Sequence, residues 1–442
     1  METKLMRIAE VAKTNPELKF TSLIHLLNKD SLKECHHQLN GNKAPGILGT
    51  TKQEYSENLE GNLQYLINRM KKQSYKPQPV KRVYIDKSGS KKKRPLGIPE
   101  YEDKIIQKGL AKILNSIYEQ DFLDCSFGFR PNRNCHDALK VLNMYIERRY
   151  TNYIVDVDIK GFFDNVDHKW MVEFLKHRIN DPNVLRLINR FLKAGYVKDM
   201  KWYKDEFGTP QGGLASPILA NVYLHYVLDL WFEKHVKKRC KGQAYIVRYA
   251  DDFVCCFQYH KDAQQFYRAL KERLKKFNLE IAEDKTKVIP FGRFAKENEQ
   301  RTGNHKPPTF KFLGFTHYCS ESKQGKFRVK RKTDKKKMRT KLKETKEWLK
   351  SKRNLKIQAI MDRLQRSLKG YYNYYCITDN LPTVEEFVYH IRLLLFKWMN
   401  RRSQRKSFTW DKFNLFMNKF PLPSPRKKVD IYNLRSHISY IQ

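Results

Sequence analysis

Along this chain, apolar residues recur three and four apart over long reaches and cluster into short β-prone runs at a few places. Residues 1–80 carry the helical period, with Leu59, Leu63, Leu66, Ile67 and Met70 on one stripe, and Lys76-Pro77-Gln78-Pro79 ends that region. Val80 to Ile85 then reads as a strand, Lys87-Ser88-Gly89-Ser90 as a turn, and Lys91-Lys92-Lys93-Arg94 as the return, so a β-hairpin with a cationic tip is predicted. An exposed, solvated lysine loop is the plain alternative. Asn152 to Ile159 is β-prone, with Val155, Val157 and Ile159 on one face and Asp156 and Asp158 on the other. Lys160-Gly161 breaks that strand just after Asp158. Helical stretches follow near 168–193 and 217–238, with the glycine-rich turn Thr209-Pro210-Gln211-Gly212-Gly213 between them.

Tyr245-Ile246-Val247 and Phe253-Val254-Cys255-Cys256-Phe257 flank Tyr249-Ala250-Asp251-Asp252, the pattern of a hairpin with two carboxylates at its tip. A central antiparallel sheet packed on one side by helices would set the Asp158 strand beside this hairpin and bring three carboxylates together. Beyond residue 300, Gly303 to Pro308 is a polar connector and Phe312-Leu313-Gly314-Phe315 is strand-like; the remainder reads helical. A lysine-rich helix is predicted over 334–350, a second carries Ile357, Ile360, Met361, Leu364, Leu368, Tyr371 and Tyr375, and a third spans about 383–402. Their apolar stripes predict a small bundle, with basic faces left over to meet phosphate. The tail after Arg402 is basic and contains Pro421, Pro423 and Pro425.

Composition narrows the partners. The 442 residues suffice for two or three domains at roughly 150 residues each, and 88 Lys+Arg against 47 Asp+Glu leave a net charge of +41. Such an excess opposes compaction unless a polyanion neutralises it, so RNA or DNA is the expected partner. No apolar run approaches the ~20 residues of a membrane-spanning helix, and residues 1–30 are charged throughout; no membrane partner and a cytoplasmic location are expected. With 40% hydrophobic and 13% aromatic residues the chain has ample material for folded cores. Its eight cysteines form no CxxC pair and read as reduced thiols, and the 13 histidines include no HExxH.

Neighbouring carboxylates such as Asp251-Asp252 repel unless cations neutralise them. Oxygen-rich clusters suit Mg²⁺, and Mg²⁺ at an acidic tip suggests phosphoryl or nucleotidyl transfer. A solvated turn is the competing reading, because Asp is common in turns.

Further motifs sit in a definite order. They are Asn42-Lys43-Ala44-Pro45-Gly46, Arg94-Pro95-Leu96-Gly97-Ile98-Pro99, Ser126-Phe127-Gly128-Phe129-Arg130-Pro131 and Asp158-Ile159-Lys160-Gly161-Phe162-Phe163-Asp164. The glycine-rich turn, the acidic tetrapeptide, Glu283-Asp284-Lys285-Thr286-Lys287 and Phe312-Leu313-Gly314-Phe315 follow. In these motifs the chain closely resembles bacterial group II intron-encoded reverse transcriptases, which also act as RNA maturases. The resemblance covers almost the whole chain and implies an α+β right-hand polymerase: fingers, a palm with an antiparallel sheet, and a helical thumb. It implies an N-terminal extension and start of the fingers over 1–80, fingers and palm over 81–315, a thumb or maturase region over 316–402, and a basic DNA-binding-like tail over 403–442.

The same resemblance implies roles for particular residues. Asp158, Asp251 and Asp252 would be the catalytic carboxylates, holding two Mg²⁺ ions (Mn²⁺ can substitute) with the backbone carbonyl of Ile159. Lys87 and Arg94 would grip the incoming triphosphate, and Phe163 would exclude a ribose 2′-hydroxyl, with core packing as its alternative. Gln211 and Gly212 would meet template or nucleotide, and Phe312, Leu313, Gly314 and Phe315 would position the primer end. Lys285 or Lys287 would protonate the pyrophosphate or serve in a surface salt bridge, with Lys287 the one assigned to the nucleotide. RNA template, intron RNA, DNA primer or target and dNTPs are the implied partners, with no obligate protein partner.

The chain departs from the family pattern at Leu48, where Asp is usual, at Asp86, where Pro commonly precedes the fingers lysine, and in the extra lysines 91–93. No cysteine follows Cys376, so the nuclease domain with paired Cys and His that many relatives carry is not expected. A domesticated retron, diversity-generating or defence reverse transcriptase is the alternative. Leu368-Lys369-Gly370-Tyr371-Tyr372-Asn373-Tyr374-Tyr375 favours the intron reading.

Overall fold

A four-stranded antiparallel sheet forms the centre of the computed structural model, which describes residues 2–86, 93–198, 201–203, 208, 212–301, 303, 306–402 and 408–434. Among these residues the strands are β1 Val80–Asp86, β2 Lys93–Ile98, β3 Tyr153–Asp158, β4 Tyr196–Lys198, β5 Lys201–Tyr203 and β6 Ala244–Tyr249. They continue as β7 Asp252–Phe257, β8 Lys287–Pro290, β9 Phe310–Phe312, β10 Phe315–Glu321 and β11 Phe327–Thr333. The central sheet has the order β6-β7-β3-β8, and its register sets Asp158 opposite Asp252. A second sheet, β2-β1-β4-β5, carries the expected hairpin, with Asp86 paired to Lys93; Lys87 and the turn beyond it lie outside the described residues. The fold is α+β, and no described helix is long and apolar enough to cross a membrane.

The central sheet is covered on both faces, not on one as the sequence pattern suggests. Val155, Val157 and Ile159 join Phe253, Cys255 and Phe257 in a core shared with the helices Ser216–Leu224 and His260–Lys276. Ile154, Val247, Val254 and Cys256 face the opposite way, into a core with Phe127, the helix Cys135–Arg148 and the β9–β11 sheet. The signal is present in β7, where Phe253 to Phe257 is apolar at every position instead of alternating. An unbroken apolar run is what a strand buried on both faces requires.

Residues 315–333 form the β10–β11 hairpin, where the sequence pattern suggests helix. Its alternation is masked by charge. In β11 the residues facing inward are Val329, Arg331 and Thr333, and the Arg331 guanidinium is fully buried against Asn143. The boundary expected at 315/316 therefore falls inside a sheet, and the separate C-terminal core begins only at Met338. That core joins the helices Lys335–Lys352, Ile357–Tyr375 and Leu381–Met399. Described parts of the tail also pack on this core. Helix Trp410–Lys419 buries Phe413 in the same bundle, and Val429 bridges back to Ile377.

Bundle and sheets are joined at Asn380, which is fully buried. Its Oδ1 accepts from the Thr333 backbone N–H at 2.8 Å, and its Nδ2 donates to Thr333 Oγ1 at 2.9 Å and to the Tyr375 carbonyl at 2.8 Å. At about 1 kcal/mol net for each bond, and more where a buried donor loses its partner, Asn380→Ala is expected to cost about 2–4 kcal/mol of unfolding free energy in urea titrations.

Candidate active site

The acidic tetrapeptide folds as the sequence predicts, into a tight hairpin in which Tyr249 pairs with Asp252 across Ala250 and Asp251. Ala250 has φ +59°, a left-handed conformation for which a residue with a Cβ carries a cost of about 1–3 kcal/mol. Asp158 ends β3 beside this tip. Asp158, Ile159 and Asp251 line one cavity of 850 Å³, which Arg94 on β2 and Phe163 on the short helix Phe162–Asn165 also line. Phe163 is half-buried, its ring edge-on to Phe162 at 5.2 Å, so it both packs and faces the cavity.

Electrostatics at the tip show a shortage of positive charge. Burial raises the Asp251 carboxyl above its ordinary range, partly opposed by a hydrogen bond from its own backbone and by Arg94. Asp252 lies well above that range because of burial and, next, repulsion from Asp156, Asp251 and Asp158. Burial lifts Asp156 to about 7. Crowded carboxylates of this kind ionise fully only when a cation joins them. Lys285 supplies one such charge: its ammonium pairs with Asp158, and that hydrogen bond raises the lysine in turn.

Several expected site residues fall elsewhere. Asp252 does not line the cavity, so of the three expected catalytic aspartates two reach it, beside Asp164, Glu280, Glu283 and Asp284. Lys287 sits on β8 opposite Asp156 and is also outside the lining, whereas Lys285 is part of it. Lys285 lies in the turn before β8, and Lys287 is the first residue of the strand. Phe312 and Phe315 are buried core residues. Only Leu313 and Gly314, both at positive φ, form the tip of the β9–β10 turn, where the Leu313 carbonyl accepts from the Tyr374 hydroxyl at 2.9 Å. Gly212 has φ +118°, and a Cβ there would lie 2.2 Å from the Gly97 carbonyl oxygen, so the turn closes on β2 only with glycine. Gln211 and Lys87 lie outside the described residues.

Sequence reasoning alone misses what holds the tip. Arg248, one residue before Tyr249, is fully buried and donates from Nε to Asp229 Oδ1 at 2.8 Å and from Nη2 to Asp229 Oδ2 at 2.5 Å. Its Nη1 donates to Asn221 Oδ1 at 3.1 Å and to the Ala250 carbonyl at 2.9 Å. Asn221 Nδ2 in turn donates to the Gly128 carbonyl at 2.8 Å. Asp229 ends a π-helical stretch, His225–Asp229, in the helix that begins at Ser216. The wider turn takes up about one extra residue and brings Asp229 round to the face of Asn221. Gly128 packs so closely that a Cβ would lie 2.3 Å from the Ala250 nitrogen. A lone arginine in the otherwise apolar strand Ile246-Val247-Arg248 is the available signal.

With this geometry in view, similarity to known proteins is informative. Residues 85–317 match the family model described as reverse transcriptase (RNA-dependent DNA polymerase), and residues 335–416 match the group II intron, maturase-specific domain. The chain is 35% identical over 350 residues to the group II intron-encoded protein LtrA of Lactococcus lactis subsp. cremoris, a match covering 64% of this chain and 57% of LtrA. It is 29% identical over 361 residues to protein YkfC of Escherichia coli K12, covering 73% of this chain and 90% of YkfC. A 91 kDa protein in the cob intron of Schizosaccharomyces pombe is 34% identical over 237 residues, covering 52% of this chain and 28% of that protein.

Removing one partner of a buried, hydrogen-bonded ion pair leaves an uncompensated charge. Arg248→Met is therefore expected to cost about 3–5 kcal/mol in denaturant unfolding. Arg248→Met/Asp229→Leu is expected to recover most of that loss.

Proposed function

The chain belongs to the reverse transcriptase family, and on that premise we propose that it is the RNA-directed DNA polymerase of a group II intron and also binds the intron RNA as a maturase that promotes splicing and mobility. The observation that carries this reading is the shared cavity, where Asp158 at the end of β3 and Asp251 in the β6–β7 turn meet Arg94 and Phe163. In this reading the β1–β2 sheet belongs to the fingers, the central sheet is the palm, and the bundle from Lys335 onward is the thumb, giving the right-hand form. Residues 1–80 would be the N-terminal extension, and the basic segment after Arg402 would touch DNA. The maturase-domain match over 335–416 favours an intron protein over a domesticated reverse transcriptase. A bacterial cytoplasmic site of action goes with it.

The donor set fits hard divalent cations: the Asp158 and Asp251 carboxylates, the Ile159 carbonyl and a cavity, lined by further acidic side chains, that already holds the Lys285 ammonium. Among the described residues no three acidic, His or Cys side chains form a metal cage by themselves. That suits Mg²⁺, which is commonly held by one or two carboxylates together with water and substrate phosphates. Asp158 and Asp251 would hold two Mg²⁺ or Mn²⁺ ions, with Asp252 adding negative charge from behind the tip. When bound, such ions lower the pKa of an attacking hydroxyl and offset charge on the phosphates.

The protein's own groups would do the rest. Arg94, with Lys87, would orient the triphosphate of the incoming dNTP through charge-assisted hydrogen bonds. Phe163 would stand where a ribose 2′-hydroxyl needs room. Lys285 would supply the proton taken up by the departing pyrophosphate, a role the sequence motif leaves divided between it and Lys287. Gly212, beside Gln211, would hold the turn that meets template or nucleotide against β2, and the Leu313-Gly314 turn would support the primer end. RNA template, intron RNA and a DNA primer or target are the partners of this reading.

Asp251→Asn/Asp252→Asn is expected to lower cDNA synthesis on a primed RNA by about a thousandfold or more, with RNA affinity and protein-assisted intron splicing close to unchanged. Undiminished synthesis would sink the polymerase reading, and splicing indifferent to added protein would remove the maturase half. Phe163→Ala is expected to raise ribonucleotide over deoxynucleotide use by roughly ten- to a hundredfold, read from paired single-nucleotide extensions.

A further inference from the structure

Three lysine–carboxylate pairs line the cavity that holds Asp158 and Asp251, and they are not equivalent. Lys160 pairs with Glu280 at 3.1 Å and Lys271 with Glu283 at 2.5 Å, acids that the reading above gives no role. Lys285 pairs instead with Oδ2 of Asp158, one of the two carboxylates assigned to the cations. That ion pair is not needed to hold its own turn. The Ala282 backbone N–H donates to the Asp158 carbonyl at 2.8 Å, and the Asp158 N–H donates to Thr286 Oγ1 at 3.4 Å. The N–H groups of Lys285 and Thr286 both donate to the Ala282 carbonyl, at 3.0 and 2.9 Å. The turn is therefore docked on the end of β3 without the ammonium, which rides on a flexible aliphatic stem. Side-chain exposure is 54% for Lys285 and 43% for Asp158, so the pair is of the weak, exchangeable kind.

The Lys285 ammonium and a divalent cation on Asp158 compete for one anionic group. On the same oxygen they exclude each other by contact. On the two oxygens of one carboxylate they stand a few ångströms apart as like charges, and repel. The ammonium gives up Asp158 readily only where a second anion lies within its reach. Arg94, Asp158, Asp251 and Lys285 line the same cavity, so a triphosphate oriented by Arg94 brings its oxygens into the space that the ammonium already faces. An ammonium meets phosphate as a compact point charge with rotatable donors, so the exchange needs no remodelling of the turn.

We propose that Lys285 is a movable counter-cation that couples nucleotide binding to cation binding: it neutralises Asp158 until a triphosphate enters, then passes to the phosphates and leaves the carboxylate to a divalent cation. Nucleotide and cation then bind cooperatively, and by linkage each raises the affinity of the other by the same factor. Asp158 accordingly gathers few cations ahead of the substrate, and the ammonium is already at the phosphates when pyrophosphate departs. In this role Lys285 is a positioning residue, separate from its use as a proton donor. The inference rests on the two-cation reading of the site and deepens it.

Mn²⁺ is the probe, because its free form is read by electron paramagnetic resonance without turnover. Lys285→Met removes the charge and keeps an unbranched stem, and Lys285→Arg keeps the charge. Lys275→Met removes an exposed charge elsewhere on the same cavity wall. With the full-length protein alone, Lys285→Met is expected to bind Mn²⁺ about three- to tenfold more tightly than the parent. Lys275→Met is expected to stay within about twofold of the parent, and Lys285→Arg to bind Mn²⁺ no more tightly than it. On a primer–template ended by a dideoxynucleotide, saturating Mn²⁺ raises the affinity for the complementary dNTP. That rise is expected to shrink in Lys285→Met by the same factor and to return in Lys285→Arg. Equal tightening in Lys275→Met would assign the effect to net charge and overturn the proposal. Mn²⁺ binding unchanged in Lys285→Met, or a dNTP response unchanged in it, would overturn it too. A parent protein that takes up no Mn²⁺ even with dNTP present would overturn the two-cation reading itself, and the proposal with it.

Discussion

The buried pair of Arg248 and Asp229 is the interaction on which the site depends. Taking both charges out of water costs several kcal/mol per ion, and a pair of this kind survives only if every remaining donor and acceptor is met. Here the guanidinium meets both carboxylate oxygens, Asn221 and the Ala250 carbonyl. The last of these matters most for chemistry, because Ala250 holds a left-handed backbone next to Asp251. A tip made of apolar contacts alone would have no fixed partner for that carbonyl. The ion pair therefore sets the direction in which Asp251 faces, and Gly128 closes on the tip from the other side.

The core around Phe127 carries this local order outward. Phe127 donates its backbone N–H to the Arg248 carbonyl at 2.9 Å, and Arg248 donates to the Cys125 carbonyl at 2.8 Å, so the motif Ser126 to Pro131 runs along the edge of β6. In the same core as Phe127, Phe315 stacks against Tyr374 with ring centroids 5.8 Å apart, and His136 Nε2 meets the Tyr374 carbonyl at 2.9 Å. The tyrosine run of the bundle is thereby fastened to both the β9–β10 turn and the helix beneath the central sheet. Movement of the bundle as a unit would have to break these contacts together with those of Asn380. A sheet buried on both faces thus couples the acidic tip to the bundle through side-chain packing.

Much of this order is legible in the sequence. The hairpin around Asp251, the strand ending at Asp158, the cationic hairpin near Arg94 and the three helices of the bundle all follow from periodicity and turn chemistry, which depend on neighbours along the chain. Other features are not legible there. Arg331 and Arg248 occupy inward positions of strands, where a charge ordinarily argues against burial. The second cover of the central sheet comes from residues far from it in the chain, the β9–β11 strands among them. Asp252 and Lys287 belong to motifs whose neighbours line the cavity, yet the cavity stops short of both, although each is paired across the sheet with an aspartate of β3.

By itself the sequence determined which groups are present and how they are spaced: the carboxylates, the lysine-rich surfaces and the order of motifs. Tertiary structure alone decided which of those groups share a cavity and which are buried with partners. The reason is physical. Periodicity is a property of the local backbone, but desolvation and ion pairing depend on what the rest of the chain brings within a few ångströms. Arg248 illustrates the difference: in the sequence it is one of 88 cations, and in the fold it is the one that holds the acidic tip in place.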